Sequence, residues 1–259
     1  MKLGFSILPL FFSTCLFAQT GTRYKSLANQ TTALTDIWSI SSNPAGSPRS
    51  ATIVFASLKE YNFISTDIKN EALAISFPFK KLRVSFSAFR YGNAHFKQTN
   101  FASSFALNFK SFSLGLGSQV QQIRVPLIET EQIINLSVGT QIPINSQWVI
   151  GLGLYNFDLS TKTPLLESTL SIGLGYAPTK QVLVSSSLCK LPYSSNLSGG
   201  LGLEYKIIDP FALRLGFQSN PSLRSLGFEY TYKNWKFLSA VSNHPSLGNK
   251  IQIELNYEL

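Results

Sequence analysis

From Ala51 to the last residue, apolar and polar side chains alternate, and the alternation breaks at short, regular intervals. A period of two marks a strand with one apolar and one polar face. The pattern predicts strands over 51–58, 71–79, 82–91, 100–109, 112–121, 132–142, 148–157, 168–176, 181–189, 197–207, 211–218, 224–232, 235–242 and 250–259. In 100–109, Phe101, Phe105, Leu107 and Phe109 face one way, and Ala102, Ser104, Ala106 and Asn108 the other. In 211–218, Phe211, Leu213, Leu215 and Phe217 oppose Arg214, Gly216 and Gln218. The even count of about fourteen suits a barrel, and most strands approach the ~9–11 residues that cross a bilayer at a steep tilt.

The links between strands fall into two classes that take turns. After every second strand the link is short: Lys80-Lys81, Lys110-Ser111, Pro143 to Gln147, Ala177 to Lys180, Ile208 to Pro210 and Lys233-Asn234. The others, 59–70, 91–99, 122–131, 158–167, 190–196, 219–223 and 243–249, are mostly longer. Short periplasmic turns alternating with longer outer loops characterise outer-membrane barrels. A β-sandwich has no reason to keep that alternation, and it would put the Leu/Ile/Val/Phe face into a dry core. Lipid offers no hydrogen bonds, so a sheet that spans it must close on itself. The expected fold is all-β: a transmembrane antiparallel barrel of about 14 strands, apolar face outward, with a short N-terminal segment in its lumen.

Two segments precede the strands. Met1-Lys2, the apolar run Leu3 to Leu16 and the small residue Ala18 read as a signal peptide, residues 1–18. Residues 19–49 are polar, without a sustained period, and read as a plug or hatch; 50–259 is the barrel. Within the plug, Asn43-Pro44-Ala45-Gly46 is a turn with Asn at its first position, Pro fixing φ at its second and Gly at its fourth. Cys15 in the leader is a poor lipidation site, and after cleavage Cys189 has no cysteine to pair with.

Composition agrees with an exported barrel: 44% hydrophobic, 14% charged and 20 Phe. The formal charge of +9 suits a solvated basic surface or an anionic membrane. Nucleic acid is not an expected partner, because the basic residues are scattered among turns.

Aromatic and charged positions supply the candidate sites. Trp148 and Trp235 open strands at the short-link end, and Tyr176, Tyr205, Tyr232 and Tyr257 lie near other strand ends, as in the aromatic girdles of barrels. Glu204, Arg214, Glu229, Lys236 and Glu254 fall on the inward face of the last strands and are expected to form a lumenal charge network. Pro78 and the paired glycines are candidate weak points in the wall. His95 and His244 sit in predicted loops without metal-ligand spacing, and no Ser/His/Asp set aligns on one face. Gly115-Leu116-Gly117 and Gly151-Leu152-Gly153 lack the helix a phosphate loop requires. No catalytic site, cofactor or metal is expected.

The leader, the run Ala33-Leu34-Thr35-Asp36-Ile37-Trp38, the Asn43-Pro44-Ala45-Gly46 turn and the strands after it resemble the FadL-like and PorV/PorQ-like outer-membrane barrels, particularly those of Bacteroidota. The resemblance implies a bacterial outer-membrane location, with outer-membrane lipid and lipopolysaccharide as surroundings. FadL-like proteins imply transport of small hydrophobic solutes past a lumenal plug. PorV/PorQ-like proteins imply a non-transporting component of type IX secretion or envelope assembly, with protein partners. The sequence leaves both readings open.

Overall fold

A computed structural model describes residues 20–62, 67–126, 130–158, 168–190, 197–245 and 248–259. The expected signal peptide and parts of several longer links lie outside the described residues. The fourteen strands are β1 Val54–Asn62, β2 Lys69–Phe79, β3 Leu82–Gly92, β4 Lys97–Asn108, β5 Ser113–Arg124, β6 Glu131–Pro143 and β7 Trp148–Asp158, followed by β8 Thr169–Tyr176, β9 Val182–Lys190, β10 Leu197–Ile208, β11 Phe211–Ser219, β12 Leu223–Tyr232, β13 Trp235–His244 and β14 Gly248–Glu258. Each pairs antiparallel with the next, and β1 pairs with β14 from Val54↔Glu258 to Asn62↔Lys250. The barrel is therefore closed, and no strand edge is left without backbone partners.

Side-chain alternation decides what each face meets. Leu73, Leu116, Leu170 and Leu201 on the outer face are about 60% exposed, at 61, 62, 59 and 60%. Ser76, Ser104, Ser113 and Gln141 on the inner face are buried. A continuous apolar exterior of this extent is unfavourable in water and requires a hydrocarbon surround.

Two expectations about the wall change. The first strand starts three residues later than the pattern suggested and continues to Asn62. Just below it, the Leu259 amide donates to the Ile53 carbonyl at 2.9 Å. Its upper end continues the alternation through Lys59 and Tyr61 outward and Glu60 inward, residues that had been assigned to a loop. Pro78 makes no gap: β2 and β3 pair without interruption from Lys69↔Gly92 to Phe79↔Leu82. The β1–β2 register ends at Val54↔Ser76, so Pro78 lies beyond the end of β1, at the rim, where a missing N–H is tolerated. The wall does bulge between β6 and β7, between Leu136 and Val138, opposite Asn156 at φ 56°.

The segment before β1 lies inside this wall. It contains a one-turn helix, α1 (Thr22–Ser26), and two 3-10 turns, Ile37–Ser41 and Pro44–Gly46. The Asp36 carboxylate caps the first 3-10 turn, accepting from the Trp38 amide at 3.0 Å. Asn43 caps the second, accepting from the Ala45 amide at 3.1 Å. Every residue from Thr20 to Ser47 is buried or half-buried.

Candidate lumenal site

Three kinds of contact seat the N-terminal segment: small wall residues, buried ion pairs and an apolar strip. The first explains many of the wall glycines, among them Gly115 and Gly151 of the two pairs. An added Cβ at Gly202 of β10 would lie 2.9 Å from the Leu27 Cβ. At Gly139 of β6 it would overlap the Asn43 side chain, with the Asn43 Cγ at 2.9 Å. Inward positions Gly115, Gly151, Gly216 and Gly227 stand as close to Ala45, Thr32, Ala28 and Ser26. These glycines are seats for the segment's backbone, not weak points in the wall.

Asn43 shows how local turn chemistry becomes tertiary anchoring. Its Oδ1 closes its own turn, and its Nδ2 donates to the Thr32 carbonyl at 2.7 Å and to the Thr140 carbonyl of β6 at 3.1 Å. Gln141 Nε2 donates to the Leu34 carbonyl at 2.7 Å. Pro44, Ala45 and Gly46, the rest of the expected turn, are fully enclosed, and the Gly46 amide donates to the Asn43 carbonyl at 2.8 Å.

Only three of the five expected network residues come together. Glu204 Oε2 accepts from Arg214 Nε at 2.6 Å, and Arg214 Nη2 reaches Glu229 Oε2. The β10–β11 register sets Glu204 opposite Arg214. Lys236 stands apart because the register opposes it to Thr231 and Asn256, nearer the short-turn rim, where its Nζ contacts Glu258 Oε1. Glu254 stands apart because Leu238 of β13 lies between it and Glu229. Its Oε2 accepts the Thr22 amide at 2.6 Å, so it anchors the start of α1.

The residue that completes the network is Arg23, which was not singled out in the sequence. Arg23 Nε donates to Glu204 Oε2 at 2.8 Å, and Nη1 donates to the Thr35 carbonyl at 2.9 Å. A second knot, also unforeseen, centres on Glu60. Its carboxylate meets Lys25 at 3.1 Å and Lys250 at 3.7 Å, and accepts from Asn70 Nδ2 at 3.0 Å. Glu60 was hidden by ending the first strand at residue 58. Continuing the alternation two residues further would have turned it inward. Breaking either knot by removing one partner leaves a buried charge, a loss of ~3–5 kcal/mol.

The third contact is apolar. Tyr24, Leu27, Leu34, Ile37 and Trp38 pack against Val54, Ala56, Leu58, Ala72, Ala74 and Phe89 of β1 to β3. This gives the lumen a hydrophobic strip along β1 to β3. The outer face of the same wall carries a cleft of about 550 Å³, lined by Phe55, Ser57, Leu73, Phe86, Trp235 and Leu255. Ser57 is the small residue in an apolar neighbourhood that opens it. The β1–β2 wall is therefore apolar on both sides and built there from Ala56, Ser57 and Ala74.

The expected aromatics form cross-strand pairs at the short-turn rim. Trp148 stacks on Tyr176 with ring centroids 4.0 Å apart, and Trp235 lies 4.5 Å from Tyr257. Tyr232 is the register partner of Trp235 and points outward, as Tyr205 does. Such pairs contribute ~0.5–1.5 kcal/mol beyond their burial. Among the described residues no group of three or more His, Cys, Asp or Glu could hold a metal ion.

No protein-family profile matches this sequence, and no curated protein matches it. Its fold has solved counterparts. The Ralstonia pickettii toluene transporter TbuX superposes with a TM-score of 0.70 at 10% identity, over 94% of this chain and 98% of TbuX. The Pseudomonas putida toluene transporter TodX gives a TM-score of 0.70 at 10% identity, over 92% of this chain and 97% of TodX. A Pseudomonas aeruginosa FadL homologue gives 0.67 at 11% identity, over 92% of this chain and 98% of the homologue. The chain thus has a FadL-type barrel fold.

Proposed function

We propose that this chain is an outer-membrane channel for small hydrophobic solutes. The observation that carries the reading is the apolar strip of the lumen, Val54, Ala56, Leu58, Ala72, Ala74 and Phe89, facing Trp38 of the lumenal segment. Besides seating the segment, such a strip offers a passing apolar molecule burial away from water, which a pore for polar solutes does not need. The apolar exterior supports a bilayer location, and the sequence of the leader supports export to the outer membrane. The likeness to two toluene transporters and a FadL homologue favours the same class of cargo. It offers no support to a secretion scaffold.

In this reading the segment from Thr20 to Ser47 occludes the lumen, and the solute contacts the β1–β2 wall beside Trp38. The test is to extract the full chain in mild detergent and identify retained small molecules by mass spectrometry. Enrichment of an apolar small molecule over bulk lipid supports the channel, and Leu58→Asn should reduce that enrichment. A stoichiometric protein partner with no enriched small molecule would contradict it.

A further inference from the structure

A second pocket lies at the short-turn rim, away from the apolar strip. It has a volume of about 190 Å³ and is lined by Arg49, Ser50, Lys80, Lys81, Arg83 and Asn108 among others. Four of its lining residues are cations, and none is a carboxylate. Arg49 and Ser50 come from the strap between the lumenal segment and β1. Lys80 and Lys81 form the β2–β3 turn.

Arg83 supplies the independent observation. It is 2% exposed, yet every acceptor it meets is neutral. Nε donates to Ser76 Oγ at 2.6 Å, Nη1 to the Ser50 carbonyl at 2.8 Å and Nη2 to the Ser76 carbonyl at 3.1 Å. A guanidinium has five N–H donors, so two remain. Arg49 likewise donates to a neutral group, Ser113 Oγ, at 3.1 Å. None of the ion pairs among the described residues includes Arg49, Lys80, Lys81 or Arg83. Glu258, the carboxylate whose field reaches Arg83, is already held by Lys236. Elsewhere in this barrel buried cations meet carboxylates, as Arg23 and Arg214 do. Here the counter-charge is left to something outside the chain.

We infer that this pocket binds a phosphate-bearing group. A phosphate presents several strong acceptor oxygens to donors arriving from different directions, which suits two guanidiniums and two ammoniums brought together from the strap and the β2–β3 hairpin. The outward residues flanking the Lys80-Lys81 turn, Phe79 and Leu82, are apolar, so the turn sits where hydrocarbon gives way to head groups. The phosphate can belong to a phospholipid head group or to a soluble phosphate. The inference needs the barrel to be membrane-inserted and is independent of which solute passes through it.

Native mass spectrometry of the full mature chain in neutral detergent tests this, with phosphatidylglycerol, phosphatidylcholine and inorganic phosphate as probes. The variant combines Arg49→Gln, Lys80→Asn and Lys81→Gln. Asn suits position 80, where φ is 57°. Arg83 is left intact because it ties Ser76 to Ser50. The expected result is retention of phosphatidylglycerol, reduced about tenfold in the variant as charge-assisted bonds are lost, with phosphatidylcholine retained less because its choline cation meets the four cations of the pocket. If millimolar inorganic phosphate displaces the lipid, the site serves soluble phosphate; if it does not, the site serves head groups. Equal retention by wild type and a variant that still shifts on heating in gels, or no retention by either, would overturn the assignment.

Discussion

Arg23 and Arg214 donate to the same carboxylate oxygen, Glu204 Oε2, at 2.8 and 2.6 Å. One arginine belongs to the lumenal segment and the other to the wall. Glu204 therefore joins the two, and Glu229 supplies the second negative charge that balances them.

Glu204→Gln keeps the shape and removes the charge. The account predicts a loss of about 3 kcal/mol, because two buried guanidiniums would then share Glu229 alone. Chemical unfolding of the detergent-folded barrel measures it. Lys59→Gln is the comparison: its 3.6 Å pair with Glu71 lies on the outside with both side chains more than 40% exposed, and its loss should stay within about 1 kcal/mol.

The glycine seats give a prediction with a built-in control. Gly139→Val places side-chain atoms where Asn43 now lies, so the segment should leave its seat while the barrel still closes. Trypsin should then cut at Arg23 and Lys25 without heating. Gly175→Ala should change nothing, since its Cβ would meet Ala33 at an ordinary 3.7 Å. Cleavage at Arg49 does not discriminate, because Arg49 is already exposed at the mouth.

Trp148→Ala removes the stacked partner of Tyr176 at the rim. The expected cost is about 1 kcal/mol, beyond the lost burial, read from the unfolding midpoint with the denaturant slope unchanged.

The alternation of residues such as Phe101, Ala102, Phe105 and Ala106 made the wall legible, because a strand exposed to lipid on one face repeats every two residues. Glu204 opposite Arg214 was legible too, since a short turn near Asp209 fixes that register. Arg23 was not, because a segment without a period gives no clue to which strand it meets. The role of Gly139 was also hidden. A glycine in a strand marks a close approach, but the sequence does not say of what. Glu254 was expected to belong to the lumenal charge network. It serves the Thr22 amide instead, a backbone partner that side-chain patterns cannot reveal.

The most direct test of the proposed role is uptake of radiolabelled toluene by intact cells that lack other outer-membrane routes for hydrophobic solutes, with and without this chain. The account predicts faster uptake with the chain, reduced by Leu58→Asn on the β1–β2 wall, with no gain in uptake of a polar solute of similar size. Unchanged toluene uptake from cells that display the folded, heat-shifting barrel in their outer membrane would contradict it.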